Sequence, residues 1–174
     1  MSESTKVIDV SKVLGVKVIC PNVLAENLLA MSITTEVHFL PGAQSTLHIH
    51  PQQDESYQVL SGTMELFLDN QWQTLGPGQS MRIPKGKAHA FRNTTNEVTK
   101  TINIHDPGLR FQEWIEVLER LIQEDKITNV TGLRSIIYLS LHSLAFSNEF
   151  VPVRPPYWLI KVMARIGRIL GYKL

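Results

Sequence analysis

The sequence predicts a mainly β domain, an antiparallel sandwich or barrel, followed by an α-helical C-terminal extension. Three observations predict it. Over residues 1–108, short β-rich runs are cut at close intervals by Gly, Pro and Asp-Asn turn signals. After Gly108 the apolar residues recur at helical spacing instead. Two segments, Gly42–Gly62 and Gly78–Asn93, set His48, His50, Glu55 and His89 in a frame of Gly and Pro where short strands have to turn.

The strands follow from their boundaries. Residues 34–40 are β-rich and end at Pro41-Gly42; 56–60 lead to Ser61-Gly62; 64–68 alternate and end at the turn dipeptide Asp69-Asn70. Residues 72–75 stop at Gly76-Pro77-Gly78, 81–83 at Pro84-Lys85-Gly86, and 100–104 before Asp106-Pro107-Gly108. No helical period intervenes to supply the crossovers of a parallel sheet, so the strands are expected to pair antiparallel.

Three helices are expected in residues 109–174. In the first, Phe111, Trp114, Ile115, Leu118, Leu121 and Ile122 form one apolar face, Glu113 lies in the first turn, and Glu116 with Arg120 has the spacing of a favourable i, i+4 pair. The second spans Gly132 to Phe146, is apolar on most sides and is expected to be sandwiched between other elements. The third starts after Pro155-Pro156 and ends near Gly171. Its apolar face, read as Leu159, Val162, Met163, Ile166 and Leu170, is expected to pack inside, leaving Lys161, Arg165 and Arg168 solvated. A basic amphipathic helix on an anionic membrane is the less favoured reading of the same residues.

Composition excludes several functions. The 174-residue chain carries a formal net charge of +1, which offers no global attraction for nucleic acid. The third helix also lacks Asn or Gln to read bases. No run is long and apolar enough to span a membrane, the N-terminus lacks a signal-peptide layout, and the one cysteine, Cys20, reads as a small core residue. A reducing, cytoplasmic location is the expectation.

The chemistry lies in the two segments. In a strand, His48 and His50 point to one face and Ile49 to the other. Glu55 follows a polar turn and can begin a second strand antiparallel to the first, aimed at the same point. His89 arrives from a distant strand behind Pro84 and Gly86, with Phe91 on its face; Tyr57 and Val59 share the face of Glu55. Tyr57, Val59 and Phe91 are therefore expected to line a cavity. An HxH pair alone is commonly an ordinary half-buried strand pair. Three imidazoles and a carboxylate together suit one divalent ion such as Fe, Mn, Ni, Co or, less typically, Zn, with two octahedral positions left open.

These segments resemble the two motifs of the cupin superfamily. The first reads Gly-x5-His-x-His-x4-Glu-x6-Gly and the second Gly-x5-Pro-x-Gly-x2-His-x3-Asn, with every fixed position matched and fifteen residues between them. The resemblance covers roughly residues 30–108. It implies a small single-domain cupin, an antiparallel jelly-roll barrel over residues 1–108 with a helical extension over 109–174. It also implies metal ligation by His48, His50, Glu55 and His89, and a homodimer. A cupin fold does not fix a function. The intact tetrad favours a metal-dependent oxygenase on a small organic molecule, in which Glu55 doubles as a proton acceptor. The alternatives are a non-catalytic module that binds or senses a sugar or metabolite and, behind it, an isomerase or epimerase. Arg82, Lys85 and Lys87 are read as solvated turn charges, His38 as a barrel-wall residue, and His105 and His142 as residues without a role in the site.

Overall fold

The structure, a computed structural model, describes residues 5–21 and 31–174. Among these, the strands are β1 (Thr5–Asp9), β2 (Val16–Pro21), β3 (Ile33–Phe39), β4 (His48–Ile49), β5 (Asp54–Ser61), β6 (Met64–Leu68), β7 (Gln71–Leu75), β8 (Ser80–Ile83), β9 (His89–Arg92), β10 (Thr99–Asp106) and β11 (Val151–Pro152). The helices are α1 (Ser11–Leu14), α2 (Phe111–Gln123), α3 (Leu133–Ala145) and α4 (Tyr157–Ile169). All pairing is antiparallel, in two sheets ordered β1-β2-β3-β10-β5-β8 and β11-β4-β9-β6-β7.

Alternation sets which side chains face between the sheets. On β3, Ile33, Thr35, Val37 and Phe39 are buried; on β5, Glu55, Tyr57 and Val59; on β10, Thr99, Thr101, Asn103 and His105. The β6–β7 hairpin closes on Asp69 and Asn70 alone. Both residues have positive φ (49° and 64°), the twist a two-residue hairpin needs. Gly62 turns β5 into β6 at φ 77°; there a Cβ would meet the Thr99 backbone at 2.9 Å.

Several expectations are revised. β4 and β5 do not pair. β4 lies between β9 and β11, β5 lies between β10 and β8, and the two strands face each other across the barrel. The residues before the first motif hold the β1–β2 pair, joined by the single turn α1 and a left-handed Gly15. β11, from the extension, adds an edge strand beside His48. Glu116 does not pair with Arg120. Its carboxylate takes Lys6 of β1 at 3.0 Å and Gln112 at 2.9 Å, because α2 docks on β1. His38 faces outward and pairs with Glu36 at 2.6 Å. Cys20 is buried, and burial pushes its thiol up to about 12.

The helices pack as a layer against the barrel. α2 buries Phe111, Ile115, Leu118, Leu121 and Ile122, and α3 lies between α2 and α4. α4 differs from the expectation: its buried residues are Ile160, Ala164 and Gly167, with Met163 half-buried, while Val162, Ile166 and Leu170 are exposed. Close packing causes this rotation. Small residues at 164 and 167 let α4 approach α3, and a Cβ on Gly167 would meet Ile137 Cγ2 at 2.5 Å.

Two predictions follow from this packing. Gly167→Ala improves helix propensity by about 1 kcal/mol, but Ile137 is a β-branched, buried side chain that cannot swing away. Overpacking at about 1–3 kcal/mol outweighs the gain, and a lowered melting temperature is expected in thermal unfolding. His142, buried on α3, donates from Nε2 to the Trp114 carbonyl at 2.9 Å, and burial pushes its pKa down to about 4. The folded state therefore binds fewer protons than the unfolded state between that value and about 6.5. His142 contributes stability that is complete above this window and falls by roughly 3 kcal/mol as pH drops through it. Urea titrations from pH 7.5 to 4 should show His142→Asn losing correspondingly less stability than the parent.

Candidate metal centre

The structure brings His48, His50, Glu55 and His89 together. All four are buried, and one ligand-capable atom from each lies within 4.8 Å of every other. His48 and His89 are direct cross-strand partners on β4 and β9, with ring centroids 4.2 Å apart. Glu55 reaches in from β5 in the opposite sheet, where it is registered against Ile83 and His105.

Backbone carbonyls fix the imidazole tautomers. Nδ1 of His48 faces the Thr46 carbonyl at 2.9 Å, Nδ1 of His89 faces the Lys87 carbonyl at 3.0 Å, and Nδ1 of His50 faces the Glu149 carbonyl. A carbonyl only accepts, so each Nδ1 carries the hydrogen. In the neutral rings each Nε2 then presents a lone pair to the common point, the orientation metal-binding histidines require.

Electrostatics supports the fit to a cation. Glu55 Oε2 lies 2.8 Å from His89 Nε2 and 3.5 Å from His50 Nε2, yet neither Oε2 nor His89 Nε2 has a hydrogen bond. Lone pairs this close repel unless a cation or a proton lies between them. Opposed ligands of a first-row divalent ion sit about 4 Å apart, which the spread of these four atoms accommodates. Burial works to raise Glu55, but His50 and His105 hold it well below the carboxylate range. Burial, then its imidazole neighbours, drives His48 well down and keeps it neutral. Burial opposes protonation of His89 too, but Glu55 outweighs it and raises that residue, so a proton there offsets the carboxylate when no cation does.

His105, assigned no role from the sequence, belongs to this site. Its Nε2 lies 3.3 Å from Glu55 Oε1, and Asn103 donates to the same oxygen at 2.9 Å. Both point inward on β10 in phase with Thr99 and Thr101, a run of polar inward residues that a period-2 reading of residues 99–105 exposes. The extension contributes as well. Phe150 stacks on His48 at 4.5 Å, Phe111 stacks on His105 at 3.7 Å, and Trp114 stacks on Phe150 at 5.3 Å.

A cavity of about 580 Å³ adjoins the tetrad, within the range that holds small organic molecules. Tyr57 and Phe91 line it; Val59 does not. Val59 lies one inward step further along β5, in the packed core, where the barrel is filled rather than open. Val37, Phe39, Trp114, Leu118 and Leu139 form much of the wall, and among the described residues Glu55 and Arg154 are the charged side chains on it. Burial, then the Glu55 carboxylate, pushes the Tyr57 phenol well above its ordinary range, so it stays a neutral hydroxyl.

A two-sheet antiparallel barrel with three imidazoles and a carboxylate gathered inside defines a β-barrel protein with a candidate metal site. The cupin domain family matches residues 35–105. Residues 35–105 thus form a cupin domain, and a helical extension follows it. The chain is 41% identical over 54 residues to protein SchB of Streptomyces halstedii, covering 31% of this chain and 39% of that one. It is 32% identical over 62 residues to polyketide synthase CurC of Streptomyces cyaneus, covering 36% and 40%. The matched span is thus about two fifths of the length of these two relatives. Among solved structures, KdgF from Halomonas sp. aligns with TM-score 0.51 at 20% identity over 62% of this chain and 92% of that one. An RmlC-like cupin from Shewanella frigidimarina aligns with TM-score 0.51 at 20% identity over 62% and 87%. At these identities the likeness is one of fold.

Asn103 offers a test of the site that spares the ligands. Asn103→Leu removes the hydrogen bond that orients Glu55 and should weaken binding of a divalent ion by roughly 10–100-fold. Titration of metal-stripped protein with Co(II), followed by its absorption bands, measures this; unchanged affinity would show that Asn103 does not hold Glu55 for an ion.

Proposed function

We propose that the protein is a metal-dependent oxygenase acting on a small, largely apolar organic molecule. His48, His50, Glu55 and His89 would hold one borderline first-row divalent ion, Fe, Mn, Ni, Co or Zn. The observation that carries this reading is the position of the buried tetrad against a mainly apolar cavity. When bound, such an ion supplies Lewis acidity and open coordination positions for a chelating molecule and dioxygen.

The chain's own residues would do the rest. Phe39, Phe91 and Trp114 present aromatic surface to a carbon skeleton, and the helices shield it from water. Tyr57 offers a neutral hydroxyl. Glu55 Oε1 is engaged by Asn103 and approached by His105, so a proton accepted from a substrate hydroxyl would go to Oε2. A phosphorylated sugar finds little to bind, because among the described residues Arg154 is the one cation on the wall; this disfavours an isomerase of phosphosugars. The partial match to a protein named as a polyketide synthase is in keeping with a carbonyl-bearing carbon skeleton.

Protein purified without added metal should contain about one equivalent of a divalent ion by elemental analysis. His89→Ala, with its fold verified by circular dichroism, should lose most of it; unchanged content would rule out the ligand set. Reconstituted parent protein should consume dioxygen with a flavonol or a β-diketone as an apolar chelating probe. Binding of these probes without oxygen uptake would instead assign the protein to the small-molecule binding class.

A further inference from the structure

We propose that the exposed face of α4 docks the protein on an anionic lipid surface, with the plane of the membrane along the helix. Ile160, Ala164 and Gly167 point into the molecule. The opposite side carries large apolar groups in the open: Trp158 is 65% exposed, Val162 44%, Ile166 42%, Ile169 77% and Leu170 63%. Their spacing puts them on adjoining turns of one side of the helix. Lys161, Arg165 and Arg168 are exposed along the flank of this ridge, and Lys173 lies just beyond its end.

Charge identifies the occupant. Residues 150–174 contain five cations and no acid, and none of the five is in an ion pair among the described residues. A surface that offers negative charge and an apolar layer side by side matches both halves of this face, and a bilayer of anionic lipid is such a surface. A second copy matches it poorly, because a two-fold contact through α4 would set Lys161, Arg165 and Arg168 against their own equivalents with no acid between them. Nucleic acid would satisfy the cations but leave Trp158, Ile169 and Leu170 in water. α3 packs on α4, with Ile137 against Gly167 and Tyr138 on Tyr172, and Leu133 in its own first turn is also exposed (69%). No helix among the described residues is long and apolar enough to cross a membrane, so attachment by this face is peripheral. The inference does not depend on the metal centre.

Co-sedimentation of the full chain with vesicles tests it. Binding to phosphatidylglycerol–phosphatidylcholine vesicles should exceed binding to pure phosphatidylcholine at least tenfold at low salt, and should fall as NaCl rises. Each cation near an anionic surface is worth about 1 kcal/mol, roughly fivefold in binding. The variant K161E/R165E/R168E should therefore lose binding more than tenfold, and W158S/I169S should also lose it while keeping the charges. Both alter exposed positions, and circular dichroism with unchanged melting verifies their fold. Equal binding to the two vesicle types, or undiminished binding by the charge-reversal variant, overturns the proposal. So does a dimer in sedimentation velocity that W158S/I169S dissociates, which would give the face to a second copy.

Discussion

Glu55 is buried with no lysine or arginine against it among the described residues. An isolated carboxylate in such a place would be driven to protonate. Here Asn103 donates to Oε1 and His105 stands 3.3 Å from it, while Oε2 faces His50 and His89 across a gap that a cation or a proton has to fill. These partners come from both sheets, so the sheets must approach closely at this point, and β4, β5, β9 and β10 all end up committed to one small volume. The barrel's register serves this same requirement. Glu55 is opposite His105 across β5 and β10, and His48 is opposite His89 across β4 and β9.

The extension completes the arrangement. His50 depends on the Glu149 carbonyl for its orientation, and His48 lies against Phe150. β11 holds both in place by pairing with β4, with Val153 donating to the Leu47 carbonyl at 2.9 Å. An imidazole whose Nδ1 found no acceptor could rotate or change tautomer, and Nε2 would no longer be pinned toward the common point. The helices also supply Phe111, Trp114, Leu118 and Leu139 to the cavity wall. An isolated barrel would leave that wall open to water. The helical segment is thereby part of the site as well as a neighbour of the barrel.

Much of this was legible in the sequence, because periodicity and turn chemistry are local properties. The strands at 56–60, 64–68 and 72–75, the helix over 132–146 and the helix after Pro155-Pro156 all sit where their patterns place them. The tetrad was legible because its spacing is tied to turns that Gly42, Gly62, Gly78 and Gly86 make at positive φ. The rest depends on long-range pairing. That β4 and β5 occupy opposite sheets is a matter of topology, and no two-residue strand carries that information. The Glu149 carbonyl is a backbone atom, invisible to any reading of side-chain types. His105 was overlooked for a different reason: Asn103 and His105 carry an inward pattern made of polar residues, whereas inward positions are usually recognised by their apolarity.

α4 shows how packing can overrule apolar content. Judged by hydrophobicity, its inner face should hold Leu159, Val162, Met163, Ile166 and Leu170. The helix instead turns Ala164 and Gly167 inward, because small residues let its backbone lie against Ile137 and bring Ile160 to the cavity wall. Burying the larger side chains would have removed more apolar surface from water, at about 25 cal/mol per Å², but would have held α4 further from α3. The cost of the observed choice is an apolar ridge left outside, bordered by cations. That cost is offset if the ridge meets lipid, and the same helix then joins two apolar environments: its inner residue Ile160 faces the cavity, and its outer residues face the bilayer. On the proposed function, a protein that takes an apolar molecule into its cavity gains from resting where such molecules concentrate.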